Sequence, residues 1–194
     1  MYSLLLDSSN TCLTVGLDKD KTLVDFVNYE CWQKQSEHMI PEIDALLKKY
    51  SIDRKDISSI VVGIGPGSYT GVRIAVSIAK VISLALEIPI YPVSSLRILK
   101  DDDKPSICLI NARSGRSYFA VYKGQDTIIS DTIKTNEQVL DYINEYPDYV
   151  ICGNAKYLGF EGFSTNICHQ MIDLMDAVEP LKDTLGLKPV YMKD

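Results

Sequence analysis

Positive charge is what this chain has too little of: 20 Lys and Arg stand against 26 Asp and Glu, a formal net charge of −6. A protein that grips nucleic acid unaided draws most of its affinity from neutralising phosphates. Any nucleic acid handled here would therefore be held by a partner. The only basic cluster, Lys48, Lys49, Arg54 and Lys55, is diluted by Asp53 and Asp56 and reads as a solvated helix end. Histidine is scarcer still. His38 and His169 are far apart, and neither belongs to an H-E-x-x-H pattern, so a zinc-peptidase centre has no support. The 5 cysteines are odd in number and form no C-x-x-C pair, which argues against a disulfide framework and a zinc ribbon. No G-x-S-x-G marks a nucleophile elbow. No apolar run reaches the ~20 residues that span a bilayer. "MYSLLLDSS" lacks the basic start of a signal peptide and meets Asp7 too early, so the expected location is the cytoplasm, away from membranes.

What is present is an ordinary globular composition with two similar stretches of pattern. "YSLLLD" (2–7), "TCLTVGLD" (11–18) and "TLVDFVNYEC" (22–31) read as three strands of an antiparallel meander. In "SEHMIPEIDALLKKY" (36–50) the period changes, with Met39/Ile40, Ile43, Leu46/Leu47 and Tyr50 forming a helical stripe. Ser36 is the expected N-cap, and Pro41 places the helix start near Met39 or Ile40, because proline fits the first turn. A strand (57–65), a helix from about Tyr69 to Leu86, a short strand "IYPV" (90–93) and a helix opened by "SSLRILK" (94–100) follow. At "KDDDKP" (100–105) the charge jumps and a proline appears, which marks a domain boundary. Beyond it the order restarts: strands at 106–112, 117–123 and 127–134, a helix near Asn136 to Glu145, and a strand at 149–153.

The stretch "GIGPGSYTGVRIAVSIAK" (63–80) carries the strongest motif. It is not a Walker A loop, since no Lys follows a correctly spaced Gly. Gly65, Gly67 and Gly71 give G-x-G-x-x-x-G, one residue off the dinucleotide fingerprint and behind the wrong strand. The plainer reading is a tight strand-to-helix turn. The helix behind it is unusually apolar: between Val72 and Leu86 only Arg73, Ser77, Lys80 and Ser83 are polar. Such a helix is either central to the core or offers its outer face to another protein. Two hairpin tips, Asp7-Ser8-Ser9 and "NARSGR" (111–116) with Asn111 and Arg113, are placed to approach phosphate or to be plain polar turns.

The blocks "LLLDSSNTCLTVGL", "SEHMIPEIDALL", "GIGPGSYTGVRIAVSIAK", "PVSSL", "NARSGRSYFAVY" and "PVYMK" resemble the TsaB family, also called YeaZ, in the family's order from end to end. "GPGSYTGVRI" is the most specific of them. The resemblance implies an α/β fold of two actin-like (ASKHA, ribonuclease H-like) halves of β-β-β-α type, the second minimal in size. The division falls as 1–103 and 104–194, with the last segment packing back on the first half. The resemblance also implies a non-catalytic scaffold subunit. It would activate a TsaD-like transferase, with a TsaE-like ATPase, in forming the threonylcarbamoyl group on N6 of adenosine in tRNA decoding ANN codons. The tRNA would be reached only through that complex. By itself the chain would be no enzyme and would form a homodimer. It would need no cofactor beyond weak ATP or ADP binding at a subunit contact.

The partner surface implied is the pair of helices at 39–50 and 69–86. Met39, Ile43 and Leu46 come from the first; Tyr69, Val72, Arg73, Val76 and Lys80 come from the second. Gly65, Gly67, Ser68, Thr70 and Gly71 would line the partner or nucleotide contact. One departure stands out: Asn111 replaces the Asp usual in the family, removing a ligand for a Mg²⁺-bound water. The competing reading is an active ASKHA-type nucleotide phosphotransferase or ATPase using the turn Asp7, Ser8 and Ser9 with the 111–116 loop. No metal site is expected under the first reading.

Overall fold

Leu4, Leu5 and Leu6 are all fully buried, which consecutive strand residues achieve only when both faces of their sheet are covered. They belong to β1 (Tyr2–Asp7), the middle of a five-stranded sheet. The computed structural model describes residues 1–192; the "PVYMK" block ends at Lys193, outside them. β2 (Cys12–Lys19) and β3 (Thr22–Glu30) continue β1 as the antiparallel meander. β4 (Ile57–Gly63) and β5 (Ile90–Val93) add in parallel on the other side, giving the order β3-β2-β1-β4-β5.

The alternation of β1 sorts its leucines. Leu4 and Leu6 face α1 (Gln35–Lys49) and α2 (Tyr69–Leu86), in one apolar cluster with Met39, Ile43, Val72 and Val76. Leu5 faces the opposite side, where α4 (Ile167–Leu174) packs through Cys168, Met171, Ile172 and Leu174. The chain thus returns from its second half to cover the back of the first sheet.

The second half repeats the meander. β6 (Ser106–Arg113), β7 (Arg116–Lys123) and β8 (Asp126–Thr135) are antiparallel, and β9 (Val150–Gly153) joins β6 in parallel. α3 (Asn136–Glu145) covers one face with Val139 and Ile143. Its start is a reciprocal cap: Thr135 accepts from the Gln138 amide while the Gln138 side chain accepts from the Thr135 amide. The other face closes on Leu96 from the connecting segment. That segment is anchored: Lys100 is fully buried and its ammonium reaches Asp102 at 2.7 Å. The five cysteines are all free thiols.

Two local expectations are corrected. α1 begins at Gln35, not near Met39 or Ile40, with no side-chain cap from Ser36, and Pro41 lies inside it. Proline there forfeits the hydrogen bond to the carbonyl of Glu37, which sits on an exposed residue where water can replace the lost donor. The helix extends back because buried Gln35 ties its first turn to the Asn10 carbonyl at 3.2 Å. Residues 94–100 form only a single 3-10 turn, Arg97–Leu99, preceded by the Ser94 hydroxyl accepting from the Leu96 and Arg97 amides.

By length and composition alone α2 could cross a bilayer. Its inner face, Val72, Ala75, Val76 and Ala79, is instead part of the core.

Candidate functional site

The two hairpin tips singled out in the sequence face each other across a cleft of about 1030 Å³. Ser9, Asn10 and Thr11 of the β1–β2 tip line one wall with the start of α2; Asn111, Ala112 and Arg113 of the β6–β7 tip line the other. Side chains the sequence did not single out complete it: Trp32 before α1, Tyr118 on β7, Asn154 after β9, and Tyr191 near the C-terminus. They are scattered along the chain and become neighbours only through the fold; the sole signal was that Trp32 is the chain's 1 tryptophan.

The glycine loop gives a definite answer about its purpose. A Cβ on Gly71 would lie 1.9 Å from the Ser8 carbonyl oxygen, and one on Gly67 would lie 2.3 Å from the Ser9 carbonyl oxygen. The loop is therefore pressed against the Asp7-Ser8-Ser9 turn. The Ser8 hydroxyl donates to the Gly71 carbonyl at 2.7 Å, and the Ser68 amide donates to the Ser9 carbonyl at 2.6 Å. Ser68 also caps α2, its hydroxyl accepting from the Gly71 amide. Gly65, at φ +100, is pinned from the other side: the Val190 carbonyl sits 2.8 Å from where its Cβ would be. Thr70 is exposed on the cleft wall. Gly71→Ala is expected to cost on the order of 3 kcal/mol, because backbone must move to admit the methyl group; equilibrium urea unfolding measures it.

Asp7 and Ser8 do not reach the cleft. Asp7 is 4% exposed and points into the body of the first half. Its carboxylate accepts from the Ser9 amide at 3.2 Å, from the Ser9 hydroxyl at 3.0 Å and from the Ser95 hydroxyl at 3.4 Å. Ser95 in turn accepts from the Gly65 amide, so one buried network ties β1, β5 and the glycine loop. The phosphotransferase reading that gave Asp7 and Ser8 a role at phosphate is corrected accordingly: both are consumed in fastening the turn to the loop. Asn111, in place of a carboxylate, accepts from the Arg113 amide at 2.8 Å and closes the β6–β7 turn.

Burial pushes the Asp7 carboxyl up to about 6, against the opposing hydrogen bonds from Ser9 and Ser95. The linkage sign follows. A folded-state value above the unfolded 3.8 means that the native state holds the extra proton, so this group's contribution to stability falls as pH rises from about 4 to 6. The full shift corresponds to about 3 kcal/mol at most. Asp7→Asn should remove this decline, leaving a variant more stable than the parent at pH 7 and nearly equal at pH 4; paired denaturation curves at the two pH values test it.

The implied partner residues divide sharply. Met39, Ile43, Leu46, Val72 and Val76 are buried in the protein's own core at 0 to 7% exposure, so they are corrected from surface contacts to packing residues. The same helical period that makes a stripe apolar also turns it towards the sheet. Tyr69, Arg73 and Lys80 face outwards but serve a third purpose, holding the C-terminal tail. Arg73 Nε donates to the Tyr191 hydroxyl at 2.6 Å, its guanidinium lies 3.9 Å from the Tyr69 ring centre, and Lys80 Nζ donates to the Leu185 and Leu187 carbonyls. What remains open on α2 is an apolar strip that the sequence reading did not separate: Val81 at 67% and Leu84 at 53% exposure, with Ile40 of α1 at 59%.

Among the described residues no cluster of three or more His, Cys, Asp or Glu could hold a metal ion. A protein-family profile described as "TsaD: tRNA N6-adenosine threonylcarbamoyltransferase" matches residues 29–161. The tRNA threonylcarbamoyladenosine biosynthesis protein TsaB of Bacillus subtilis (strain 168) is 31% identical over 194 residues, 97% of this chain and 78% of that protein. The protein of the same name from Buchnera aphidicola subsp. Schizaphis graminum is 30% identical over 142 residues, 70% of this chain and 67% of that one. Among solved structures, YeaZ from Pseudomonas aeruginosa shares the fold with a TM-score of 0.83 at 20% identity, covering 98% of this chain and 99% of that one. With 31% identity to a TsaB protein over 97% of this chain and 78% of that protein, the chain belongs to the TsaB family.

Proposed function

We infer that this protein is a non-catalytic partner subunit in forming threonylcarbamoyladenosine in tRNA, and that it works by docking on a TsaD-like transferase. The observation that carries the reading is the pair of large apolar side chains left open one helical turn apart on α2, Val81 and Leu84, with Ile40 also exposed on α1. Large apolar side chains grouped in water on one helix face mark a protein contact more often than chance exposure. The site chemistry points the same way. The two groups best suited to phosphate chemistry, Asp7 and Ser8, are buried in structural hydrogen bonds, and no carboxylate lines the cleft among the described residues. An acidic chain also fits a subunit that leaves the bulk of the phosphate affinity for tRNA to its partners.

In this reading the TsaE-like ATPase joins the assembled pair, and the protein acts in the cytoplasm. Without its partner the same strip pairs two copies, shielding the apolar side chains. A stable contact of either kind should bury on the order of 1,200–2,000 Å² in total. Co-purification of the full chain with the TsaD-like subunit of its own organism, followed by light scattering, tests the proposal. A one-to-one complex that replaces a homodimer is the expected result; a chain that stays monomeric and ignores the transferase would defeat it.

A further inference from the structure

The cleft between the two halves has a charge opposite to that of the molecule. The chain carries 26 acidic side chains and a net charge of −6, yet no Asp or Glu lines the cleft among the described residues, while Arg73 and Arg113 do. Neither arginine is joined to a carboxylate by a salt bridge among the described residues. Arg73 is steered by two tyrosines, which fix its direction without neutralising it. Arg113 stands on the opposite wall in a left-handed turn conformation, at φ 64, and its guanidinium lies 5.7 Å from the centre of the Trp32 ring. A focused positive potential in a concave site raises the local concentration of anions.

The remaining lining defines the anion further. Trp32 lines the cleft and is 41% exposed, so its indole does not fill the core. Asn10 and Asn154, each with a side-chain amide, are among the residues lining the cleft. An amide presents a donor and an acceptor together, the pattern that matches a base edge. Aromatic platform, amide pair and unpaired guanidinium are the parts with which proteins hold unstacked single-stranded nucleotides. A nucleoside di- or triphosphate, by contrast, travels with Mg²⁺, and among the described residues the walls supply no carboxylate for that ion or its waters.

We propose that the inter-half cleft binds a segment of single-stranded RNA, stacking a base on Trp32 and holding phosphate on Arg113 and Arg73. It deepens the proposed function and rests on that reading only for the source of the RNA. The site gives the subunit a direct hold on nucleic acid, small enough to be compatible with its overall acidity. Its contribution would be local positioning of a few nucleotides, while other subunits supply the bulk phosphate affinity.

The test is fluorescence anisotropy on the full, isolated chain with a labelled single-stranded RNA of about eight nucleotides, a length within known single-strand sites. It is run at low salt without Mg²⁺. Trp32→Ala should weaken binding about tenfold, the loss of one base–aromatic stack. Arg113→Glu should weaken it at least as much and flatten its salt dependence, while Lys48→Ala on the far end of α1 should leave it unchanged. Circular dichroism confirms that each variant is folded. No measurable binding, or equal binding by all variants, overturns the proposal. So does displacement by adenosine monophosphate or an acidic peptide at the same concentration as by unlabelled RNA, which would assign the cleft to a free nucleotide or to protein. Partner capture is measured separately, so failure here leaves the docking reading standing, and failure there leaves this one.

Discussion

Val76→Glu should lower the melting temperature by about 10–15 °C and abolish a sharp unfolding transition near neutral pH. Val76 is 3% exposed and packs with Leu4, Leu6 and Ile60 beneath the first sheet. A carboxylate there would sit among apolar side chains, and the ammonium one turn on, Lys80, is already engaged with the Leu185 and Leu187 carbonyls. Burying it uncompensated, on top of the lost apolar contacts, costs at least about 4 kcal/mol. Total stability of a domain this size is only 5–15 kcal/mol in order of magnitude, so the variant would be partly unfolded as made. Ile43→Glu, on the facing helix at 7% exposure, should behave alike. Both variants would fail in partner capture, but for want of a fold. Thermal denaturation followed by circular dichroism separates the two causes. An unchanged melting curve for Val76→Glu would show that the inner face of α2 is not part of the core.

The double variant Val81→Glu with Leu84→Glu should do the reverse: keep the fold and release the partner. Both side chains project into solvent, so their replacement should alter stability by no more than about 0.5 kcal/mol each. At a docked surface the same change places two carboxylates in a desolvated apolar contact. A loss of about 3 kcal/mol or more, over a hundredfold in affinity, is the expected scale for disrupting the centre of an interface. Co-purification with the TsaD-like subunit should disappear, and light scattering of the isolated chain should report a monomer where the parent pairs. Ile40→Glu, at the other exposed apolar position, tests whether α1 takes part in the same contact. Wild-type capture by the double variant would place the partner elsewhere. The two experiments use one helix and one replacement residue, and differ only in which side of the helix is changed.

Much of this was legible from residue order. The strands of both meanders follow from alternating or continuous apolar runs bounded by turn residues, and α2 begins and ends as its apolar period predicts. The family resemblance was carried by "GPGSYTGVRI", whose glycines permit contacts that other residues would block. The start of α1 was not legible. Proline rules describe helices without a tertiary anchor, and here the bond from Gln35 to the Asn10 carbonyl supports the extra turn. The polar residues of α2 were equally misleading. The resemblance put Arg73 and Lys80 on the partner surface, yet they clasp the tail more than a hundred residues later in the chain.

The sequence by itself determined the strands, the course of α2, the doubled meander and the family, because each rests on local spacing of apolar and turn residues. Only the tertiary structure decided which side of each helix is outside. A stripe of apolar residues states that a face will be covered, but not whether the sheet of the same chain or another protein covers it. Tertiary structure also decided that Asp7 is a buried fastener, since a carboxylate at a hairpin tip is equally suited to solvent, to phosphate or to its own neighbouring amides. The cleft could be recognised only once the fold was known. Its walls come from both halves of the chain, and the absence of carboxylates from a site has no meaning until the site has walls.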